Sequence, residues 1–272
     1  MWPTLPFKRR RSAPSVPAGE RIYAIGDIHG RMDLFHRLLE LLHEDEKRRG
    51  PATTHVVVVG DAIDRGPQSA KVVSTLLWWQ RNSSRVTVLK GNHEAALLES
   101  LASDPHAQRL WLSYGGLDTL RSFGVEPRKG CSSDELATLI RSSFSEPTIA
   151  WLEQLPISHR IGDYFFSHAG VKPGVPLERQ RPEHLLWGAE EFLESRRDHG
   201  AVVVHGHTIC GSRVRFTPNR ICIDTGAYCT GILSAVGLED DRQWSISTAP
   251  DPVWPSVGAV GDYEKGAPYP KA

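Results

Sequence analysis

His55-Val56-Val57-Val58-Val59-Gly60-Asp61-Ala62-Ile63-Asp64-Arg65-Gly66 is the stretch that decides the fold. The unbroken apolar run reads as a strand buried on both faces. It ends in glycine and then in acidic residues, where the backbone must turn sharply and polar side chains converge. Working outward, the segment from Arg21 to Ile25 alternates and is β-rich, and Arg85 to Leu89 gives a third strand. Between them, Leu34, Phe35, Leu38, Leu39, Leu41 and Leu42 form one apolar helical face after Asp33. Val72, Val73, Leu76 and Leu77 form another after Pro67, which suits a first helical turn. Strand, helix, strand, helix, strand is an α/β unit.

Residues 95–155 read as a helical insertion, with a break at Gly115-Gly116. Strands are then expected from Ile157 to Ile161, Tyr164 to Ser167, Ala201 to Val204, Arg213 to Phe216, Arg220 to Ile223, Gly231 to Leu238 and Gln243 to Thr248. The last four have short polar links and read as antiparallel. The expected architecture is α/β: a two-sheet β-sandwich core flanked by helices, with the helical insertion over one edge. One catalytic domain is expected over 21–249. Residues 1–20, with Lys8-Arg9-Arg10-Arg11 among prolines, read as a flexible basic tail without the apolar core of a signal peptide. Residues 250–272 read as a Pro/Gly-rich tail.

The 272 residues are 40% hydrophobic, enough for one large core. Lys plus Arg and Asp plus Glu balance at 32 each, so neither a nucleic-acid polymer nor a membrane surface is expected as partner. No apolar run approaches the roughly 18 residues of a spanning helix. Cys131, Cys210, Cys222 and Cys229 form no Cys-x-x-Cys pair, and free thiols in a reducing, cytoplasmic setting are expected.

Five glycine-flanked islands carry the chemistry: Gly26-Asp27-Ile28-His29-Gly30, Gly60 to Gly66, Gly91-Asn92-His93-Glu94, His168-Ala169-Gly170 and His205-Gly206-His207-Thr208. In open α/β sheets such positions beyond strand ends bind ligands. Mixed oxygen and imidazole donors suit manganese, iron or zinc. One metal is expected on Asp27, His29 and Asp61, and a second on Asp61, Asn92, His168 and His207. Asp61 would bridge them roughly 3.5–4 Å apart. His205 competes with His207 for the last position, and the Gly-His-Thr turn favours His207. Two divalent ions against two carboxylates and a hydroxide leave a net positive site that attracts phosphate, and the ions lower the pKa of water.

Around this set, Arg65 is a candidate phosphate clamp, together with Asn92. His93 is the candidate general acid, and Asp64 would orient and stabilise its imidazole. Glu94 is open between helix-end charge and support of the ligands. Asp224 reads as a turn former, and Cys229 as a packed thiol with no base placed beside it.

Gly-Asp-x-His-Gly, Gly-Asp-x-x-Asp-Arg-Gly and Gly-Asn-His-Glu together resemble the phosphoprotein phosphatase family of calcineurin-like metallophosphoesterases. Tyr114-Gly115-Gly116, Leu185-Leu186-Trp187 and Ile223-Asp224-Thr225-Gly226-Ala227 resemble its bacterial serine/threonine branch. The resemblance implies a four-layer α/β/β/α fold and two manganese ions. It implies hydrolysis of phosphoserine or phosphothreonine by direct attack of a metal-bridging hydroxide, without a phosphoenzyme. It assigns Asp27, His29, Asp61, Asn92, His168 and His207 to metals, Arg65 to phosphate, and His93 with Asp64 to proton transfer. Tyr228-Cys229 resembles a Tyr-Cys pair near the active site of eukaryotic relatives. One departure is Ala189, where bacterial relatives carry a phosphate-gripping arginine. Losing that contact costs about 1.5–3 kcal/mol, with Arg196, Arg197 or Arg213 as possible substitutes. Symmetric dinucleoside tetraphosphate hydrolysis is the alternative, since it uses the same metals and fold. Glu94, rather than Asp, leans toward the protein phosphatase. A non-catalytic phosphate-sensing module is the third reading.

Overall fold

The computed structural model describes residues 13–128 and 130–249. Strands β1 (Glu20–Ile25), β2 (Thr53–Val58) and β3 (Val86–Val88) alternate with helices α1 (Met32–Arg49) and α2 (Ser69–Asn82). Helices α3 (Asn92–Ser100), α4 (Pro105–Trp111), α5 (Leu117–Ser122), α6 (Ser133–Ser143) and α7 (Glu146–Gln154) follow. The chain continues through β4 (Ser158–Ile161), β5 (Tyr164–Ser167), α8 (Pro182–Trp187), β6 (Val202–His205), β7 (Arg215–Phe216) and β8 (Arg220–Cys222). It ends in α9 (Ala227–Thr230), β9 (Ser234–Glu239) and β10 (Arg242–Ser247).

Two five-stranded sheets result, ordered β10-β9-β1-β2-β3 and β4-β5-β6-β8-β7. The period-two alternation of strand side chains builds the layers. Ile22, Ala24, Val57 and Val59 face Tyr164, Phe166, Val202, Val204 and Ile221 between the sheets. Their neighbours Tyr23, Ile25, Val56 and Val58 face the other way, into the core under α1, α2 and the helices after β3. Phe165 and Val203 turn outward to Val171, Leu177, Leu185 and Phe192. Helices, sheet, sheet and an outer helix-and-loop layer make a four-layer α/β sandwich.

Three expectations are corrected. The last four strands are not one antiparallel set. β7 and β8 form a hairpin in the second sheet, where β8 runs parallel to β6. β9 and β10 form another in the first sheet, where β9 runs antiparallel to β1. Between β8 and β9 the chain crosses from the second sheet to the first, by way of α9. Second, α2 starts at Ser69, so Pro67 precedes the helix and does not lie in its first turn, because Gln68 before it has non-helical φ −129°. Third, residues 14–17 are packed. Val16 is buried between the sheets and donates its N–H to Asp240 O at 2.8 Å, and Ser15 N–H donates to Asp163 Oδ2 at 2.9 Å. The Lys8 to Arg11 run and residues 250–272 lie outside the described residues. Among the described residues, no helix is long and apolar enough to cross a membrane, and Cys131, Cys210, Cys222 and Cys229 are free thiols.

Candidate active site

The five islands meet beyond the carboxyl ends of β1, β2, β3, β5 and β6. Asp27 and His29 follow β1, Asp61 follows β2, Asn92 opens α3 after β3, His168 follows β5, and His207 follows β6. Backbone strain marks the same place. His29, Asp61, Asp64, Arg65 and His207 all have φ between 45 and 72°. Outside the site, Asp240 alone shares this among described non-glycine residues. Such conformations cost of order 1–3 kcal/mol each and persist where surroundings over-determine them.

Asp61 lies at the centre. Its Oδ2 is 3.6 Å from His29 Nε2 and 3.7 Å from His93 Nε2, and its Oδ1 is 3.4 Å from His168 Nε2. Asn92 Oδ1 lies 2.8 Å from His168 Nε2 and 3.0 Å from His207 Nδ1. Two donor groups emerge, His29–Asp61–His93 and Asp61–His168–His207, and they share Asp61. His207 joins this cluster, whereas His205 packs edge-on against Phe192, with ring centroids 5.0 Å apart. Asp27 is buried, and its Oδ2 accepts the His207 N–H at 2.9 Å. Its Oδ1 is buried with no hydrogen-bond partner. The chain at Gly206 passes so close that any Cβ there would strike Asp27 Oδ1.

These features fit divalent cations. A buried orphan carboxylate oxygen is costly unless something positive meets it. His29 Nδ1 is tied to the Ile63 carbonyl at 2.8 Å and His168 Nδ1 to the Val59 carbonyl at 3.1 Å. Both rings therefore turn Nε2 inward, the usual support for a metal-binding histidine. Asp27, Asp61, Asp64, Glu94 and Asp224 are all buried around the cluster. Burial and Asp224 push the Asp27 carboxyl well above its ordinary range, and burial pushes Asp224 up to about 6. Burial brings His29 down to about 3 and His207 to about 4, so both are neutral donors. Burial also opposes the His168 cation, but Asp61, Asp27 and Glu94 outweigh it and raise His168 to about 10. The same concentrated negative field attracts divalent metal.

The outer residues are equally ordered. His93 Nδ1 is 2.7 Å from Asp64 Oδ2, with both side chains buried. Burial works against the His93 cation, but Asp61 and Asp64 hold its pKa above the ordinary value. Arg65 Nη1 reaches His29 Nε2 at 3.1 Å, and its guanidinium lies 4.4 Å over the Tyr228 ring. Gly115, at φ 103°, comes against the Arg65 backbone, where a Cβ would meet Arg65 N at 2.6 Å. Tyr114 lies 5.4 Å from His93 and 5.9 Å from Trp187 by ring centroid.

Glu94, left open by the sequence, has a definite place. Its Oε1 accepts the N–H groups of Ala62 at 2.8 Å and Ile63 at 3.4 Å, and its Oε2 those of Gly91 at 2.8 Å and Asp61 at 3.0 Å. It stitches the Asp61 turn to the start of α3. The helix-start spacing hinted at the Gly91 bond, and the other three depend on tertiary approach. Thr119 and Ser69, which hold Asp64, gave no signal in the sequence.

Asp224 accepts the Gly226 N–H at 2.8 Å and forms a turn. Cys229 is a correction: it is exposed, not packed, because α9 turns that face to solvent. Ala189 packs against the apolar cluster of Phe165, Val171 and Phe192. Arg196 lines a cavity with Asp163 and Asn219, Arg197 sits beside Gly174, and Arg213 is on an exposed loop. None of these contacts involves the Asp61 cluster.

The calcineurin-like phosphoesterase model matches residues 20–222, and the chain belongs to that family. It is a metal-dependent phosphatase that hydrolyses phosphoesters with divalent metal ions. Among curated relatives, the symmetrical bis(5'-nucleosyl)-tetraphosphatase of Dechloromonas aromatica is 26% identical, over 86% of this chain and 98% of its own. Serine/threonine-protein phosphatase 1 of Salmonella typhimurium is 29% identical, over 80% of this chain and 92% of its own. A solved structure provisionally assigned as a diadenosine tetraphosphatase has a TM-score of 0.59 at 22% identity, covering 87% of this chain and 98% of that one, and shares the fold.

Proposed function

We propose that this chain cleaves symmetric dinucleoside tetraphosphates. The observation that carries the reading is the set of curated relatives named symmetrical bis(5'-nucleosyl)-tetraphosphatases. They include those of Dechloromonas aromatica and Nitrosomonas europaea, the latter 27% identical over 79% of this chain. Tyr114, Trp187 and the exposed Tyr228 supply aromatic faces around the cluster, the chemistry that holds a nucleobase by stacking. The lean toward phosphoproteins rested on Glu94. Both of its oxygens are occupied by backbone N–H groups, so it is not available to read a substrate. Phosphoserine or phosphothreonine hydrolysis is the second reading, favoured by the Salmonella typhimurium relative.

Asp27, His29 and Asp61 would hold one divalent cation and Asp61, Asn92, His168 and His207 a second, with manganese the expected metal. When bound, the cations polarise phosphoryl oxygens and lower the pKa of the attacking water. Arg65 grips phosphate oxygens with its planar fork, and Tyr228 supports the guanidinium from below. Asn92, whose Oδ1 faces His168 and His207, is the second candidate group for phosphate. His93 gives a proton to the leaving oxygen, while Asp64 fixes the ring through Nδ1 and leaves Nε2 directed to the cluster. The test is kcat/KM on diadenosine tetraphosphate against a phosphopeptide. A preference of about tenfold or more for the dinucleotide, with ADP as sole product, supports the reading; the reverse preference moves the second reading to first place.

A further inference from the structure

The geometry points to Thr119, on α5, as a positioning residue that fixes the Asp64 carboxylate for its work on His93. Asp64 reaches His93 Nδ1 through Oδ2, at 2.7 Å. Its other oxygen, Oδ1, accepts the Thr119 hydroxyl at 2.6 Å. The Asp64 N–H in turn points to Thr119 Oγ1 at 2.9 Å and Ser69 Oγ at 3.1 Å. Thr119 therefore holds Asp64 twice, once by backbone and once by side chain. Thr119 and Ser69 hydroxyls are 3.2 Å apart. The single Thr119 hydrogen has its shorter path to the carboxylate.

Two considerations make this more than packing. A carboxylate joined only to a histidine can rotate about its Cβ–Cγ bond and carry the ring with it. Pinning Oδ1 removes that freedom. Asp64 also sits at φ 72°, a conformation that needs its surroundings to hold it. Thr119 is fully buried, 55 residues along the chain from Asp64. Its helix is anchored to α2 by Ser122, whose hydroxyl donates to Thr119 O at 2.7 Å and accepts the Ala70 N–H at 3.0 Å. The helical segment after β3 thus reaches the Asp64–His93 pair directly, as well as covering one edge of the site.

The inference rests on His93 acting as proton donor, so the test separates the two. The full-length chain is loaded with manganese and assayed on phenyl phosphate, whose leaving oxygen needs a proton, and on dinitrophenyl phosphate, whose leaving oxygen does not. Thr119→Val should lower kcat on phenyl phosphate about tenfold or more, while dinitrophenyl phosphate hydrolysis, KM and metal content stay within about threefold. Thr119→Ser, which keeps the hydroxyl, should restore phenyl phosphate turnover to within about threefold of the native chain. Thr119→Ala is read in parallel, so that a fault peculiar to valine does not decide the result. Equal losses on both substrates, no loss on either, or no rescue by serine overturns the positioning role. So does a chain that folds with neither valine nor alanine. His93→Asn is the control. If it spares dinitrophenyl phosphate and Thr119→Val does not, the inference about Thr119 fails alone. If His93→Asn affects both substrates equally, the reading of His93 fails.

Discussion

Replacing Glu94 by Gln should unlatch the Asp61 turn. The native carboxylate accepts four backbone N–H groups, at 2.8, 2.8, 3.0 and 3.4 Å. A glutamine of the same shape keeps one accepting oxygen and replaces the other with an amide that can only donate. Two N–H groups then face a donor in a buried pocket. At about 1.5–3 kcal/mol for each lost charge-assisted bond, the cost is about 3–6 kcal/mol. For a domain of this size, about 2–4 °C of melting temperature accompanies each kcal/mol, so the midpoint should fall by about 6–24 °C. The loosened turn carries Asp61, so manganese affinity should fall with it. Melting by differential scanning calorimetry, with and without manganese, reads both effects. A variant that melts within about 2 °C of the native chain and binds manganese equally would refute the view that Glu94 is the latch.

His93→Asn should lower kcat by roughly 10²–10⁴ with metal content unchanged, measured by steady-state kinetics and elemental analysis; lost metal would make His93 a ligand instead. Gly206→Ala should fold but bind less metal, since its Cβ meets Asp27 Oδ1, and elemental analysis reads the loss. Trp187→Ala should lower kcat/KM for diadenosine tetraphosphate about tenfold and spare p-nitrophenyl phosphate, and equal effects would end the stacking argument. Asp45 accepts hydrogen bonds from Arg49, Tyr23 and Trp244 at 2.7, 2.8 and 3.0 Å. Burial works against its charged form, but Arg49 and Tyr23 outweigh that and hold its pKa below the ordinary value of about 3.9. Its contribution is therefore complete above that ordinary value and is lost as pH falls through the lowered one. Melting curves of Asp45→Asn and the native chain should differ most near neutrality and converge in acid.

The parts of the fold legible in sequence were those governed by local period. The alternation of Tyr23 and Ile25 against Ile22 and Ala24 assigns faces of β1, and the helical spacing of Leu34 to Leu42 marks α1. Sheet membership of β9 was not legible, because nothing local to Ser234–Glu239 specifies pairing with β1 more than 200 residues earlier. The positions of Asp27, His29, Asp61, Asn92, His168 and His207 could be read because each follows a strand. The strained backbone of His29, Asp61 and His207 could not, since positive φ at Asp61 or His207 is imposed by contacts such as Glu94 on the Asp61 N–H and Asp27 on the His207 N–H. Ala189 looked like a gap in the phosphate grip. Its side chain instead belongs to an apolar cluster, a placement that depends on Phe192 and Val171 folding against it.

Asp61 is the residue proposed to be shared between two metal ions. Elemental analysis of native chain and Asp61→Asn, dialysed in parallel against manganese, tests this role most directly. Two ions per native chain, a loss of metal in the variant and no hydrolysis by it are expected. A variant that keeps both ions and native turnover contradicts the role.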